Sequence, residues 1–388
     1  MLYDTIIVLY LPEKVIMSKL QVGKPVKGNQ LIGREKEIAY ISKLLLNGQS
    51  IVVIAPRRFG KTSLILEILN RIKKQGLYSA YIDFFLTPDI ESLSRKITEE
   101  VLNNQKLGKV FRKIKGDIAE MFRNIELKQA IESFEFILKY SSQNPDSWEL
   151  LSESIDFINA YPEKYVKQII CAFDEFGDVK KFDGDKIVKM IRSKIQMQDN
   201  ATYIFSGSYE SVMDSLFVKQ NSPFFRFARI INLGYIEKDK FKKYIINTFF
   251  DNNISVNETF IDEILEFTKG HPYYTQLIVQ QVILNKSTEL NKGEVSLSGI
   301  LQEILVIENN YLEKQWEDVG KSREIVQTLL ALIKYRKSLY SHVDTKKTNL
   351  GRALKKLTGS GMIYSENNVY YLSDPLFELW IKEKILNT

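Results

Sequence analysis

The chain carries one cysteine, Cys171, among 388 residues, so no intrachain disulfide framework holds it together. Its two histidines, His271 and His342, leave no zinc-type cluster. The apolar run at residues 5–12 is too short to cross a bilayer and has no basic stretch before it, which argues against a signal peptide and a membrane partner. These absences fit a reducing cytoplasm. Met17 offers a second start, so residues 1–16 read as a strand, a loose tail or a start-site artefact. What is present is ordinary for a folded protein of two or three domains: 44% hydrophobic and 26% charged residues. The net charge of +6 is unevenly placed, because residues 321–388 hold 12 Lys/Arg against 6 Asp/Glu. That excess suits an acidic partner such as nucleic acid, and equally a solvated basic surface.

The most informative stretch is residues 51–66, IVVIAPRRFGKTSLIL. Four apolar, mostly β-branched residues read as a buried parallel strand, and a loop then leads to Lys61 and Thr62 at the start of an apolar helix. Backbone N–H groups of such a loop, with the positive end of the helix, form a concave anion site. Pro56, Arg57, Arg58, Phe59, Gly60 and Ser63 are its candidate nucleotide contacts. Lys61 is placed to reach the β- and γ-phosphates, and the Thr62 hydroxyl to take a position on Mg²⁺. Ala55 stands where the GxxxxGK[ST] pattern has its first glycine, which is tolerable if φ stays negative there.

A Gly/Pro/Asn connector over 22–29 precedes a helix expected at 31–46, and a second strand is expected at 79–85. Between 87 and 167 the pattern suggests inserted helices, at 88–104, 111–122 and 147–160, with a strand or hairpin at 133–140. The strand at 168–173 closes on Asp174 and Glu175, one suited to hold the metal's shell and the other to polarise the attacking water. After a helix at 185–196, a strand at 202–205 ends in Ser206, Gly207 and Ser208. A small polar residue there can reach the γ-phosphate or the lytic water, and can equally close a plain turn. A helix at 210–217 leads to Arg226, Arg229 and a fifth strand at 230–233. Far-separated phosphate loop and acidic strand indicate an α/β fold with a doubly wound parallel sheet. From 237 to 286 the pattern is helical, and a long helix is expected at 298–316. Helices at 325–333 and 350–357, then strands at 362–365 and 369–372, spell a winged helix-turn-helix, whose Arg352, Lys355 and Lys356 are possible nucleic-acid contacts.

The segments IGREKEI, APRRFGKTSL, IICAFDEFGDV, YIFSGS, KGHPYYTQL and YYLSDPLFELWIKEKI, in that order, resemble the archaeal-type ATPases of the STAND branch of AAA+ P-loop NTPases. After an N-terminal extension and connector at 1–29, the resemblance implies a nucleotide-binding domain at 30–236. A helical lid with its linker helix then covers 237–318, and a winged helix 319–388. It also implies ATP and Mg²⁺ as cofactors, Glu175 as the catalytic glutamate, and Ser206 or Ser208 as the sensor. Gly33 and Arg34 would lie near the adenine, and His271 and Pro272 would reach the nucleotide from the lid. Arg226 and Arg229 lie where AAA+ rings supply an arginine finger, although surface arginines are the plainer reading. The expected function is a slow ATPase switch whose lid and winged helix change contacts with a protein or DNA partner, with nucleotide-dependent self-association open. The alternative is a DNA-binding initiator or regulator like the origin-recognition AAA+ proteins, which carry an arginine-containing lid motif where this chain has GHPYY.

Overall fold

The computed structural model describes residues 20, 22–105, 146–164, 167–208, 210–287, 295–342 and 349–387. Strand β1 (Ile51–Ile54) follows helix α1 (Glu35–Leu46), and helix α2 (Lys61–Lys74) leads to β2 (Tyr78–Asp83). Next come α3 (Ile90–Leu102), α4 (Ser147–Lys164), β3 (Ile169–Asp174), α5 (Gly184–Ile195) and β4 (Ala201–Gly207). A short α6 (Glu210–Met213) then precedes β5 (Arg229–Asn232). The five strands form one parallel sheet in the order β2-β3-β4-β1-β5.

The alternation of side chains decides where the core lies. Val52, Ile54, Cys171, Phe173, Tyr203 and Phe205 point into one apolar cluster together with residues of α3, α4 and α5. Ile51, Val53, Ile170, Ala172 and Ile204 point to the other face, onto α1 and α2. Both faces are covered, which is why β1 and β3 are buried at every position, and apolar at each of them up to Asp174, rather than at every second one. β1 lies between β4 and β5, so the strand ending in Asp174 is one place removed from the phosphate loop and β4 stands between them.

The chain then becomes helical: α7 (Lys238–Asp251), α8 (Glu258–Thr268), α9 (Pro272–Ser287), α10 (Leu297–Gly320), α11 (Arg323–Lys334), α12 (Leu339–His342) and α13 (Leu350–Gly359). An antiparallel hairpin of β6 (Ile363–Glu366) and β7 (Val369–Leu372) and a last helix, α14 (Pro375–Lys384), complete it. The segment from α11 to the hairpin is compatible with the winged helix expected from the sequence. Buried residues from α7 to α14, including Phe241, Ile278, Leu329 and Phe377, belong to one continuous cluster, so these helices form a single body.

Several expectations are corrected. The helix expected from residue 31 begins at Glu35, because Gly33 adopts a φ of +66° and breaks the turn before it. The stretch 87–167 is not all insertion: α3 and α4 bury Leu93, Ile97, Leu151 and Ile158 directly on the sheet. Helix α4 runs past residue 160 and through Pro162. The helix and strand expected at 111–122 and 133–140 lie outside the described residues. β4 extends to Gly207, placing Ser206 inside the strand rather than in a turn. The helix expected to 217 gives way at Asp214 to a π turn, and α10 continues through the expected 318/319 boundary. A helix was not expected at 375–384, although Asp374 caps it by accepting the Phe377 N–H and Pro375 opens it.

Candidate functional site

A cleft of about 650 Å³ lies at the carboxyl end of the sheet, a volume suited to a small molecule. At its floor the loop after β1 turns into α2 with Gly60 left-handed at φ 83°, a conformation open to glycine at no steric cost. The Lys61 ammonium, buried under the loop, donates to the carbonyls of Ala55 at 3.0 Å and Pro56 at 3.3 Å, and to Ser208 Oγ at 2.7 Å. Burial lowers its pKa and outweighs the opposing attraction of Glu175 and Asp174. A cation held this way gains from any anion that enters the cleft.

Asp174, at the end of β3, is almost fully buried and uses both of its oxygens. Oδ2 accepts from Thr62 Oγ1 at 2.8 Å and from the Tyr81 hydroxyl at 2.7 Å. Oδ1 accepts from the Glu175 N–H at 3.0 Å and from Ser206 Oγ. Because Thr62 donates its proton to Asp174, its oxygen lone pairs stay available, the arrangement in which a hydroxyl ligates a divalent metal. The residues present therefore fit a divalent metal, which the Thr62 hydroxyl would ligate and whose shell Asp174 would orient.

Glu175 sits in the left-handed region at φ 47°. The fully buried Phe176 holds it there, its ring packed against Phe84, Phe205 and Phe224. The Glu175 carboxylate accepts from Ser208 Oγ at 2.7 Å and from the Ser208 N–H at 3.2 Å. Lysine, serine and glutamate thus make a continuous hydrogen-bonded line across the mouth of the loop.

The opposite wall is apolar and built by Val26, Leu31, Ile32, Ile236 and Pro272. The connector is tied to α2: the Val26 N–H donates to Ser63 Oγ at 3.0 Å and the Gly28 N–H to Glu67 Oε2 at 3.0 Å. A side chain at Gly33 would come within 2.6 Å of Ile236 Cγ2, so this close approach also requires glycine.

Of the residues singled out in the sequence, Arg34, Arg57, Arg58, Phe59, Gly60, Lys61, Thr62, Ser63, Asp174, Glu175, Ser208 and Pro272 line the cleft. The buried Arg34 guanidinium is spent internally, on Gly234 O at 2.5 Å and Glu37 at 3.0 Å. Ser206 touches Asp174 and does not line the cleft, whereas Pro56 and His271 line a separate, smaller cavity. Arg226 and Arg229 are exposed and outside the cleft, over the rings of Phe225 and Tyr40. Arg352, Lys355 and Lys356 are exposed on α13. Tyr81 was not anticipated, and neither was Asp83, which the register places beside Asp174. Burial, and then that neighbouring charge, raise the Asp83 pKa.

His271 is buried edge-on to Phe59, with ring centres 4.5 Å apart. Burial, with the Arg58 cation next, pushes its pKa from 6.5 to about 3. The unfolded chain takes up this proton below about pH 6.5 and the folded chain does not, so stability falls on acidification by about 1.4 kcal/mol per pH unit. Urea unfolding of the parent at pH 6.5 and pH 5 is expected to show about 2 kcal/mol more loss than His271→Phe, which keeps the ring packing. Equal losses in the two proteins would reject this account.

A phosphate loop on β1, a carboxylate-backed threonine behind it and a parallel sheet with β4 between the two define a P-loop nucleoside triphosphatase. Residues 31–278 match the ATPase domain found predominantly in Archaea, and the chain belongs to that family. Over 94% of this chain and 99% of the other, the fold is similar to a Walker-type ATPase of Pyrococcus abyssi, with a TM-score of 0.69 and 19% identity. It is also similar to the ADP form of the Aeropyrum pernix ORC2 protein, with a TM-score of 0.50 and 14% identity over 94% of this chain and 95% of that one. Among curated proteins, COP9 signalosome complex subunit 6 of Caenorhabditis elegans is 22% identical over 224 residues, 55% of this chain. The chain spans about half the length of that relative (51%), and a likeness of this size assigns it no activity. Among the described residues, no helix is long and apolar enough to cross a membrane.

Proposed function

We propose that the protein is an ATP-binding and ATP-hydrolysing switch of the STAND kind, in which nucleotide in the cleft sets the position of the helical body. The observation that carries this reading is the line of hydrogen bonds from Lys61 through Ser208 to Glu175, beside the Thr62–Asp174 pair. Lys61 exchanges its carbonyl partners for β- and γ-phosphate oxygens, while loop N–H groups receive the remaining phosphate charge. Glu175 holds the attacking water and takes its proton. Mg²⁺ bound by Thr62 would neutralise charge on the phosphates. Val26, Ile32, Ile236 and Pro272 take the base. Ser208 bonds both Lys61 and Glu175, so it registers loss of the γ-phosphate, and Pro272 at the start of α9 carries that change to the lid. The test is calorimetric titration with ATP and ADP, with Mg²⁺ and with EDTA, alongside phosphate release and solution mass in each state. No adenine-nucleotide affinity in magnesium buffer would overturn the reading.

A second reading, DNA binding through α13, is favoured by one observation: Arg352, Lys355 and Lys356 are exposed on the helix whose other face buries Leu350, Ala353, Leu354 and Leu357. Duplex affinity measured across salt concentrations is expected to lose about 2–3 units of slope when all three are replaced by Ala. An unchanged slope would exclude them as phosphate contacts.

A further inference from the structure

Arg58 belongs to the phosphate loop yet directs its side chain to the helical body. Its backbone is left-handed at φ 68°, a conformation unusual for any residue other than glycine. Its guanidinium carbon lies 4.3 Å from the Tyr273 ring centre and 4.9 Å from that of Tyr311, and Nη1 donates to the Tyr274 hydroxyl at 3.4 Å. Tyr273 and Tyr274 open α9, and Tyr311 lies on α10. Tyr274 is in turn hydrogen-bonded to the half-buried Asp374 carboxylate, which caps α14. One arginine therefore links the phosphate loop to the lid, the long helix and the cap of the last helix.

The rest of this seam is loosely made. A cavity of about 150 Å³ lies along it, lined by His271, Gln315 and Ser373. Among the described residues, His271 Nδ1, Gln315 Oε1 and Ser373 Oγ are buried there without a hydrogen-bond partner. Because α7 to α14 share one core, a displacement at the tyrosines is felt at the hairpin, where a side chain at Gly361 would touch Pro56 Cβ and the Ser208 carbonyl.

We propose that Arg58 is a positioning residue that couples the shape of the phosphate loop to the seating of the helical body, with Tyr273, Tyr274 and Tyr311 as its receptor. The inference rests on the nucleotide-binding reading above and adds to it the route by which the site is regulated. A tyrosine outside the cleft then sets nucleotide affinity and, by linkage, nucleotide sets the seating of the hairpin by the same factor.

The test uses the full chain with Tyr311→Leu, Arg58→Met and the double variant, titrated with Mg·ATP and Mg·ADP. Hydrogen exchange of the amides at 363–372 is followed with and without nucleotide. Tyr311 is 48% exposed, so its replacement leaves the core intact. Each single variant is expected to bind about 5- to 10-fold more weakly, and the double variant no more weakly than either alone. Nucleotide is expected to slow hairpin exchange in the parent and to leave it unchanged in the variants. Parental affinity in Tyr311→Leu, additive losses in the double variant, or parental hairpin exchange indifferent to nucleotide would each overturn the coupling while nucleotide binding itself stood. A parent that binds no adenine nucleotide would remove both.

Discussion

Replacing Lys61 with Ala is expected to weaken Mg·ATP binding by about 30- to 5,000-fold, the ~2–5 kcal/mol typical of truncating one partner of a buried charge pair. Burial already lowers the pKa of this ammonium in the free protein, so its desolvation is incompletely recovered by carbonyls and a hydroxyl. Phosphate oxygens are the partners that recover it. For the same reason the variant is expected to melt no lower than the parent in the absence of nucleotide, since a poorly compensated buried cation has been removed. Calorimetric titration and thermal melting measure the two halves separately. Undiminished affinity in Lys61→Ala would show that the phosphates do not sit in this loop.

Glu175→Gln is expected to retain nucleotide affinity within a few-fold and to slow hydrolysis by about 10²- to 10⁴-fold, the range supplied by a positioned general base. The amide oxygen of glutamine still accepts from Ser208, and Phe176 still anchors the turn, so the geometry is kept while the proton acceptor is lost. Single-turnover phosphate release separates this from a binding defect. Hydrolysis at the parental rate in Glu175→Gln would shift the search for the base to Asp83 or Asp178, which also line the cleft.

The two variants test different ends of one hydrogen-bonded line. Lys61 reports on ground-state capture of phosphate and Glu175 on chemistry, with Ser208 in contact with both. Ser208→Ala loses both contacts, and its defect is expected to be smaller than either. Lys61 keeps its two carbonyl partners in that variant, and Glu175 keeps the Ser208 backbone N–H.

Local pattern made much of this site readable. An all-apolar strand, a loop closed by Gly60-Lys61-Thr62 and an acid pair after a second apolar strand depend on side-chain period and on residues that are neighbours in the chain. Ser208 was accessible on the same ground. Tyr81 was not: it meets Asp174, 93 residues away, because β2 and β3 pair in parallel. The connector was equally opaque, since Val26 meets Ser63 and Gly28 meets Glu67 across separations of 37 and 39 residues. The loop's arginine pair looked phosphate-facing in the sequence, yet the tyrosines of α9 and α10 draw Arg58 to the helical body.

By itself the sequence determined the strands of the sheet and which residues stand at their ends, because strand period and the placement of Lys61, Thr62, Asp174 and Glu175 are written into short stretches of chain. Only the tertiary structure decided that β4 stands between the phosphate loop and the acidic strand, and that lid and C-terminal helices share one core. It alone placed His271 on a separate, smaller cavity rather than on the cleft wall. The physical reason is that these outcomes follow from burying several amphipathic faces at once. Strand order and helix seating are set by the sum of long-range contacts, which no local window of residues contains.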